Sequence, residues 1–443
     1  MTSAALTGKS LLRNALVLIA VLVAAAAAYQ KIVRRPPPAG FQSPAQPAKP
    51  LSPRARADVP DFSTGFVSTR QDISVHAASL VETGDGRIRA FWFAGSREGA
   101  PDVQIMTAVY DPATLSWGPE LAIANREDTE SSLLRYVKKL GNPVALRAPD
   151  GRLSLFYVTV SVGGWAGSSI TAITSGDDGV TWSRPRRLIT SPFANISTLV
   201  KGTPFLYNDG TIGLPAYHEF IGKFGVLLRI GRNGEIIDEQ RLSSGISSIQ
   251  PVMLVESPRQ ALVLMRRTGS SPKRVIAVRT EDAGRHWSEP YPTALANPDA
   301  AITGVVLPDG RILVALNDIE EGRDALSLVV STDGGATWKT VYRLEDQRGR
   351  PAEPGRFAQV SAGLAKATDA GIGDAAEYAR SAQRNKCVAN QCSFEFSYPY
   401  LIRARNGDFH LVYTWNRSFI KHVRFTLAWL NRRIEKAADA AVH

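Results

Sequence analysis

From Ser79 onwards the apolar positions come in pairs of short runs, each pair joined by a turn of the form Asp/Asn-Gly. The clearest copies are SLVETGDGRIRAFW, VALRAPDGRLSLFY, FLYNDGTIGLP, VVLPDGRILVAL and LIRARNGDFHLVY, with a degenerate copy, MLVESPRQALVLM, after the third. The flanks alternate or run apolar as half-buried or fully buried strands do, and Gly or Asn accommodates the positive φ of a tight hairpin turn. Counting the degenerate copy, the turns marked by Gly86, Gly151, Gly210, Gly310 and Gly407 recur about every 50 to 65 residues until a longer last interval. Each interval holds one four-stranded unit, so six units closing in a ring predict an all-β fold, a six-bladed β-propeller; a many-stranded sandwich fits such a regular repeat less well. The last interval contains Asp346 to Ser393, polar and rich in Ala, Arg and Gly, which predicts an insertion with some helix at 346–393. A short helix is expected at 426–443.

A second repeat runs through the first. SGDDGVTW (Ser175 to Trp182), TEDAGRHW (Thr280 to Trp287) and STDGGATW (Ser331 to Trp338) share Ser/Thr, Asp, Gly and Trp at fixed spacing, each following an apolar strand. An Asp side chain caps the amides of a tight turn, Gly supplies positive φ, and Trp packs under a blade edge. A calcium loop needs more carboxylates per copy. These turns are expected to be scaffold.

The N-terminus departs from this pattern. Lys9 and Arg13 precede an apolar run from Ala15 to Tyr29, and Lys31, Arg34 and Arg35 follow it. The run is shorter than the roughly 20 residues that span a bilayer comfortably, and its alanine-rich end resembles a signal-peptidase site. The basic residues directly after it favour an uncleaved anchor, and PPPAGFQSPAQPAKPLSP (Pro36 to Pro53) reads as a stiff proline-rich stalk. The expected organisation is therefore a signal or anchor at 1–35, a linker at 36–60, a propeller at 61–425 and a tail at 426–443, with the protein exported and held at the membrane facing the periplasm or cell exterior, or secreted after cleavage.

The net charge of +11 raises nucleic acid as a partner, but residues 1 to 60 hold eight Lys and Arg against Asp58 alone, an excess of +7 that leaves +4 for the rest. That residue is a solvated, mildly basic domain, not a nucleic-acid surface, and it suits an acidic sugar. Cys387 and Cys392 are the only cysteines. In an exported chain they point to a small disulfide loop, and without nearby histidines they make no zinc site.

The three Asp-containing turns resemble the Asp boxes of sialidases and other BNR-repeat propellers, and the resemblance covers about residues 65 to 425. It implies an acid/base Asp on the first blade, a Tyr nucleophile on the last, a Glu that activates the Tyr, and three arginines that clamp the substrate carboxylate. FWFAGSREGAPDV resembles the first-blade segment and assigns Asp102 as acid/base with Arg97 before it. VLMRRTG assigns Arg266, with Arg267 as the adjacent alternative. NDIEEGRDALSLVV assigns Arg323, and EFSYPYLI assigns Tyr398.

Two positions depart from the family. His76, in SVHAASL, stands where the first triad arginine is expected, and Gln250, in SSIQPVML, stands where the activating Glu is expected. A phenol is a poor nucleophile unless a neighbouring base takes its proton, and Gln250 cannot be that base. Glu219 and Glu395 are the available carboxylates; Glu219 is preferred, because Glu395 and Tyr398 lie on opposite faces of a regular strand. Arginine matches a carboxylate with two parallel bonds, which His76 cannot copy. GNPVAL, KGTPFLYNDG, IQPVMLV, NPDAAITG and YTWNRSFIKHVRF resemble a less characterised branch of BNR-repeat propellers. With EFSYPYL they add Arg417 as a binding residue and Asn142, Lys201, Asn297, Asp299, Glu395 and His422 as second-rank candidates, and His218, in LPAYHEF, is a further second-rank candidate.

The resemblance thus implies an exo-glycosidase that removes a terminal carboxylated sugar (sialic acid, a related keto-acid sugar or a uronic acid) from a glycan, retaining through Tyr398 and needing no cofactor or metal. Two alternatives stay open. One is a carbohydrate-binding propeller without chemistry. The other is a uronate lyase with His76 or His218 as base and Tyr398 as acid.

Overall fold

Six antiparallel sheets account for almost every strand of the computed structural model. It describes residues 3–33, 39–42, 59–191, 195–269, 271–349, 353–368 and 374–439. Two units are present, residues 1–38 and 39–443. The first is a helix, Ser3–Val33, whose side chains from 11 to 26 are exposed. Among the described residues no helix is long and apolar enough to cross a membrane.

In the second unit the inner strands follow one another around a closed ring, with Ile212–His218 of blade 3 making the contact to the inner strand of blade 4. Blade 1 runs inside to outside through Ser74–Glu82, Ile88–Gly95 and Gln104–Asp111. Blade 2 starts at Lys139–Arg147, blade 3 at Leu199–Val200, blade 4 at Ser248–Val255, blade 5 at Thr303–Val306 and blade 6 at Phe396–Arg403. Blade 6 continues through Phe409–Trp415 and Phe419–Phe425, and its outermost strand is Phe62–Phe66 from the other end of the chain, with Phe62 opposite Phe425 and Phe66 opposite Lys421. Strands such as Leu153–Val160 are buried along their whole length, because blades cover both faces, which is why they read as unbroken apolar runs.

The five Asp/Asn-Gly turns share one construction. The glycine amide donates to the carbonyl three residues back, at Gly86 to Thr83, Gly151 to Ala148, Gly210 to Tyr207, Gly310 to Leu307 and Gly407 to Ala404. Each glycine has φ between 80 and 92°, where an L side chain is strained. Ser257 caps the degenerate turn instead, its hydroxyl accepting from the Arg259 and Gln260 amides.

The Asp boxes are turns between the third and fourth strands. The Asp333 carboxylate accepts from the Thr337 amide, the Thr337 hydroxyl and the Ser331 hydroxyl. The tryptophans do more than pack under their own blade. Trp182 meets Phe91 of blade 1 edge to face, and Trp287 Nε1 donates to Gln240 of blade 3 at 3.0 Å. Each of these two boxes fastens its blade to the preceding one.

Residues 39–42 differ from the stalk expected there. Phe41 is fully buried against Phe205 and Tyr207, and its amide donates to Pro258 O at 2.8 Å. Burial of the ring, about 1.5–3 kcal/mol, and an antiparallel bridge to Tyr207 fix this segment on the propeller. The stalk prolines at 36–38 and 43–53 lie outside the described residues. The insertion folds into helices Pro354–Lys366 and Ala375–Lys386, then a hairpin closed by the Cys387–Cys392 disulfide. Phe357, Tyr378 and Phe394 bury this insertion against blade 6. The C-terminal helix is Leu427–Asp439.

Candidate active site at the propeller axis

The inner strands are not regular. Register shifts interrupt blades 1, 2, 4 and 6 at Ala77, Asn142, Gln250 and Tyr398, whose φ values are +53, +42, +55 and +53°. Such β-bulges re-aim side chains, and each non-glycine residue there costs of order 1–2 kcal/mol. Pro143, Pro251 and Pro399 follow three of them, suited to a position where no amide enters the ladder. At Tyr398 this irregularity removes the opposite-face argument against Glu395.

The bulges bring side chains from different blades together. Asn142 Nδ2 donates to the Tyr217 hydroxyl of blade 3 at 3.2 Å. Gln250 Nε2 faces the same hydroxyl at 3.5 Å and the Tyr398 hydroxyl at 3.3 Å. Arg266 Nη1 reaches Gln250 Oε1 at 3.3 Å and the Tyr398 oxygen at 3.4 Å. Arginine only donates, so Gln250 Oε1 must face it and the amide orientation is fixed. The Tyr398 oxygen therefore accepts from two donors, one of them cationic. Burial pushes Tyr217 well above the usual tyrosine range and keeps it a neutral hub.

Carboxylates link the cations around this centre. Arg266 Nε binds Asp299 at 2.5 Å, and Arg323 Nη2 donates to the Asp299 carbonyl at 2.9 Å. Arg323 also lies 3.6 Å from Glu395, whose strand it adjoins through the Phe396 amide. Glu395 receives Arg417 Nε at 3.0 Å, Lys386 Nζ at 2.7 Å and the Ser397 hydroxyl at 2.7 Å, and Arg417 continues to Glu98. Burial alone would raise the Glu395 carboxyl; Arg417, then Lys386, hold it well below the usual range. Arg417 occupies the hairpin tip between the second and third strands of blade 6, and its carbonyl accepts from Val75 of blade 1.

His76 is 2% exposed, its ring centre 4.2 Å from that of Tyr398, and its Nδ1 has no hydrogen-bond partner among the described residues. Burial, with Arg417 nearby, holds it well below the usual histidine range, so the imidazole is neutral. Lys201 is also buried: Nζ donates to Pro399 O at 3.1 Å, and burial pushes it down to about 7.

The remaining candidates stand apart from this network. Asp102 is exposed and caps its own turn, accepting from the Ser96 amide at 2.9 Å and the Ser96 hydroxyl at 3.0 Å; Arg97, on the same loop, is exposed. That loop still reaches the centre through Glu98. Glu219 is half-buried, burial raises its carboxyl, and it forms no hydrogen bond to Tyr398 among the described residues. His218 stacks on Phe224 and accepts from the Ile221 amide. Asn297 is fully buried and bonds both polar atoms of Ala300. His422 pairs with His410 at 3.0 Å and accepts from Trp117 Nε1 at 3.2 Å, far out along blade 6. Arg267 binds the backbone of Ser247, Thr268 and Ser271, which leaves Arg266 as the arginine at the centre. Tyr217, Glu98 and Lys386 belong to the network without having been singled out in the sequence.

With this geometry in place, residues 86–411 match the BNR repeat-like domain. The chain belongs to that family. Among solved structures this BNR repeat-like propeller is similar to the Hadza microbial sialidase Hz136, with a TM-score of 0.59 and 16% identity over 80% of this chain and 66% of that one, just under two thirds of its length. It is similar also to a protein of unknown function from Dyadobacter fermentans (TM-score 0.59, 12% identity, 82% and 98% covered) and to the intramolecular trans-sialidase from Ruminococcus gnavus (TM-score 0.55, 12% identity, 83% and 97% covered). These likenesses show a sialidase-like six-bladed propeller. Comparison with curated proteins returns no match.

Proposed function

We propose that this BNR repeat-like propeller is a glycan-active enzyme that removes a terminal carboxylated sugar, with Tyr398 as the reacting group. One observation carries the reading: Arg266 reaches the Tyr398 oxygen directly, and Arg323 and Arg417 join it through the shared acids Asp299 and Glu395. Cations for a carboxylate and a nucleophile candidate thus share one network. In hydrolysis Tyr398 attacks the anomeric carbon as its proton passes to Glu219, whose carboxyl is raised by burial, while Asp102 protonates the leaving oxygen; Asp102 then takes a proton from the water that releases the sugar with retention, and Glu219 returns the proton to Tyr398. Gln250 and Arg266 both donate to the Tyr398 oxygen, and Gln250 cannot take its proton.

His76 favours a second reading. Its unpartnered, neutral Nδ1 is a base beside Tyr398, suited to taking the proton α to a uronate carboxylate while Tyr398 protonates the departing oxygen and a carbon–carbon double bond forms. Incubation with sialosides, keto-acid glycosides and oligouronides separates the two: a new reducing sugar without ultraviolet absorbance marks hydrolysis, an unsaturated absorbing product marks elimination. Neither product from any substrate class defeats both readings. Gln250→Glu supplies the missing carboxylate and should raise hydrolysis while leaving elimination no faster.

The proposal includes export and attachment at a membrane through the N-terminal helix, supported by its apolar run and basic flanks. Fractionation of cells expressing the full chain tests it: recovery only in the soluble cytoplasm removes it.

A further inference from the structure

A cleft of about 450 Å³ opens beside the axial network, sharing Arg323 and Glu395 with it and walled by Asp324, Lys386, Ser393 and Phe394. Its volume lies within the roughly 300–1,000 Å³ of small-ligand sites. The far wall is the hairpin that follows the inserted helices, and it is held rigidly. The disulfide joins its strands, the Ser393 amide donates to Lys386 O at 3.2 Å, and Phe394 stacks on Phe357 at 4.5 Å between ring centres. The helix before the hairpin is tied to the rest of the propeller by Ser381 to Gln71 O at 3.0 Å and by Asn385 to Ser418 at 3.0 Å. The insertion is therefore a fixed wall, not a lid.

The lining carries both signs at close quarters, Arg323 and Lys386 against Asp324 and Glu395, with Phe394 and Pro298 between. A single anion would meet as many acids as bases there. A sugar ring presents hydroxyls that donate and accept together with an apolar face, and this lining answers both. We infer that the cleft is the subsite for the neighbouring sugar of the chain, the unit linked to the carboxylated sugar at Tyr398. The inserted segment then makes the enzyme select an oligosaccharide over a lone acidic monosaccharide. This rests on the carboxylated-sugar reading of the axial site.

Calorimetric titration with matched pairs, N-acetylneuraminic acid against sialyllactose and galacturonic acid against digalacturonate, tests the inference. The longer member of one pair should bind at least about tenfold more tightly. Ser393→Trp fills the cleft from an exposed position and should erase that advantage while leaving monosaccharide affinity unchanged. Asp324→Ala, which removes one acid from the lining, should reduce the advantage in the same direction without relying on added bulk. Equal affinity of both members for the wild type, or an advantage that survives Ser393→Trp, overturns the subsite and leaves the axial reading standing. Absence of binding by all four sugars overturns both.

Discussion

The Asp-box turns and the axial centre use the same chemistry for different purposes. At the Asp-box end the aspartates Asp177, Asp282 and Asp333 are satisfied within their own turns: Asp333 is held down at about 2 by the Thr337 hydroxyl and amide and the Ser331 hydroxyl. At the axial end the acids bridge blades, Glu395 collecting Arg417, Lys386 and Arg323, and Asp299 binding Arg266. A locally satisfied carboxylate builds a turn, whereas one satisfied only by distant segments depends on the whole ring and can hold cations ready for a ligand.

Tyr398→Phe should break this contrast most sharply. It keeps the ring and removes the hydroxyl at the centre, so turnover should fall about 10³-fold with little change in melting temperature; a wild-type rate would show that the axis is structural like the other end. Next, Glu395→Gln leaves three cations around a neutral amide and should cost about 3–5 kcal/mol in denaturant unfolding, as expected when one partner of a buried ion cluster is removed. An effect below about 1 kcal/mol would place Glu395 among ordinary surface pairs.

Acid should separate the regions more gradually. His76 and His410 are held well below the ordinary range by burial, and His422 is pushed down to about 3. The unfolded chain takes up protons near pH 6.5 that the folded chain refuses, so stability is full above that value and falls below it, by up to about 1.4 kcal/mol per pH unit for each histidine. Glu395, depressed in the fold, adds a further loss below about pH 4.3, where the unfolded carboxylate protonates. A flat melting temperature between pH 7 and 5 would contradict the burial of all three histidines. The smallest effect is expected at the opposite end: Asp333→Ala should lower the melting temperature slightly and leave turnover within about twofold, since the residue is exposed and its bonds are local.

The architecture was legible because hairpin turns and Asp boxes are local, their glycines and aspartates acting within a few residues of themselves. The site was legible where a segment carries its own signature, as Arg266, Arg323, Tyr398 and Gln250 do. It was obscured where position depends on other blades. Tyr217 reads as one more apolar residue in LPAYHEF until Asn142 and Gln250 arrive from neighbouring strands. Lys386 reads as a charge ending an inserted helix until the hairpin folds it onto Glu395. A usable signal was present in the repeated pairs Asn142-Pro143, Gln250-Pro251 and Tyr398-Pro399. A polar residue before proline inside an apolar run marks a bulge, and regular alternation across it gives the wrong face, as it did for Glu395.

The seam between Phe62–Phe66 and Phe419–Phe425 also sets a schedule. A ribosome must add about 350 residues after Phe66 before its partner strand exists, which takes roughly 20–70 s at about 5–20 residues per second. Throughout that interval the first strand has no place to dock. The sheet bearing Tyr398 is completed last, so a chain released early has an open ring and no assembled centre.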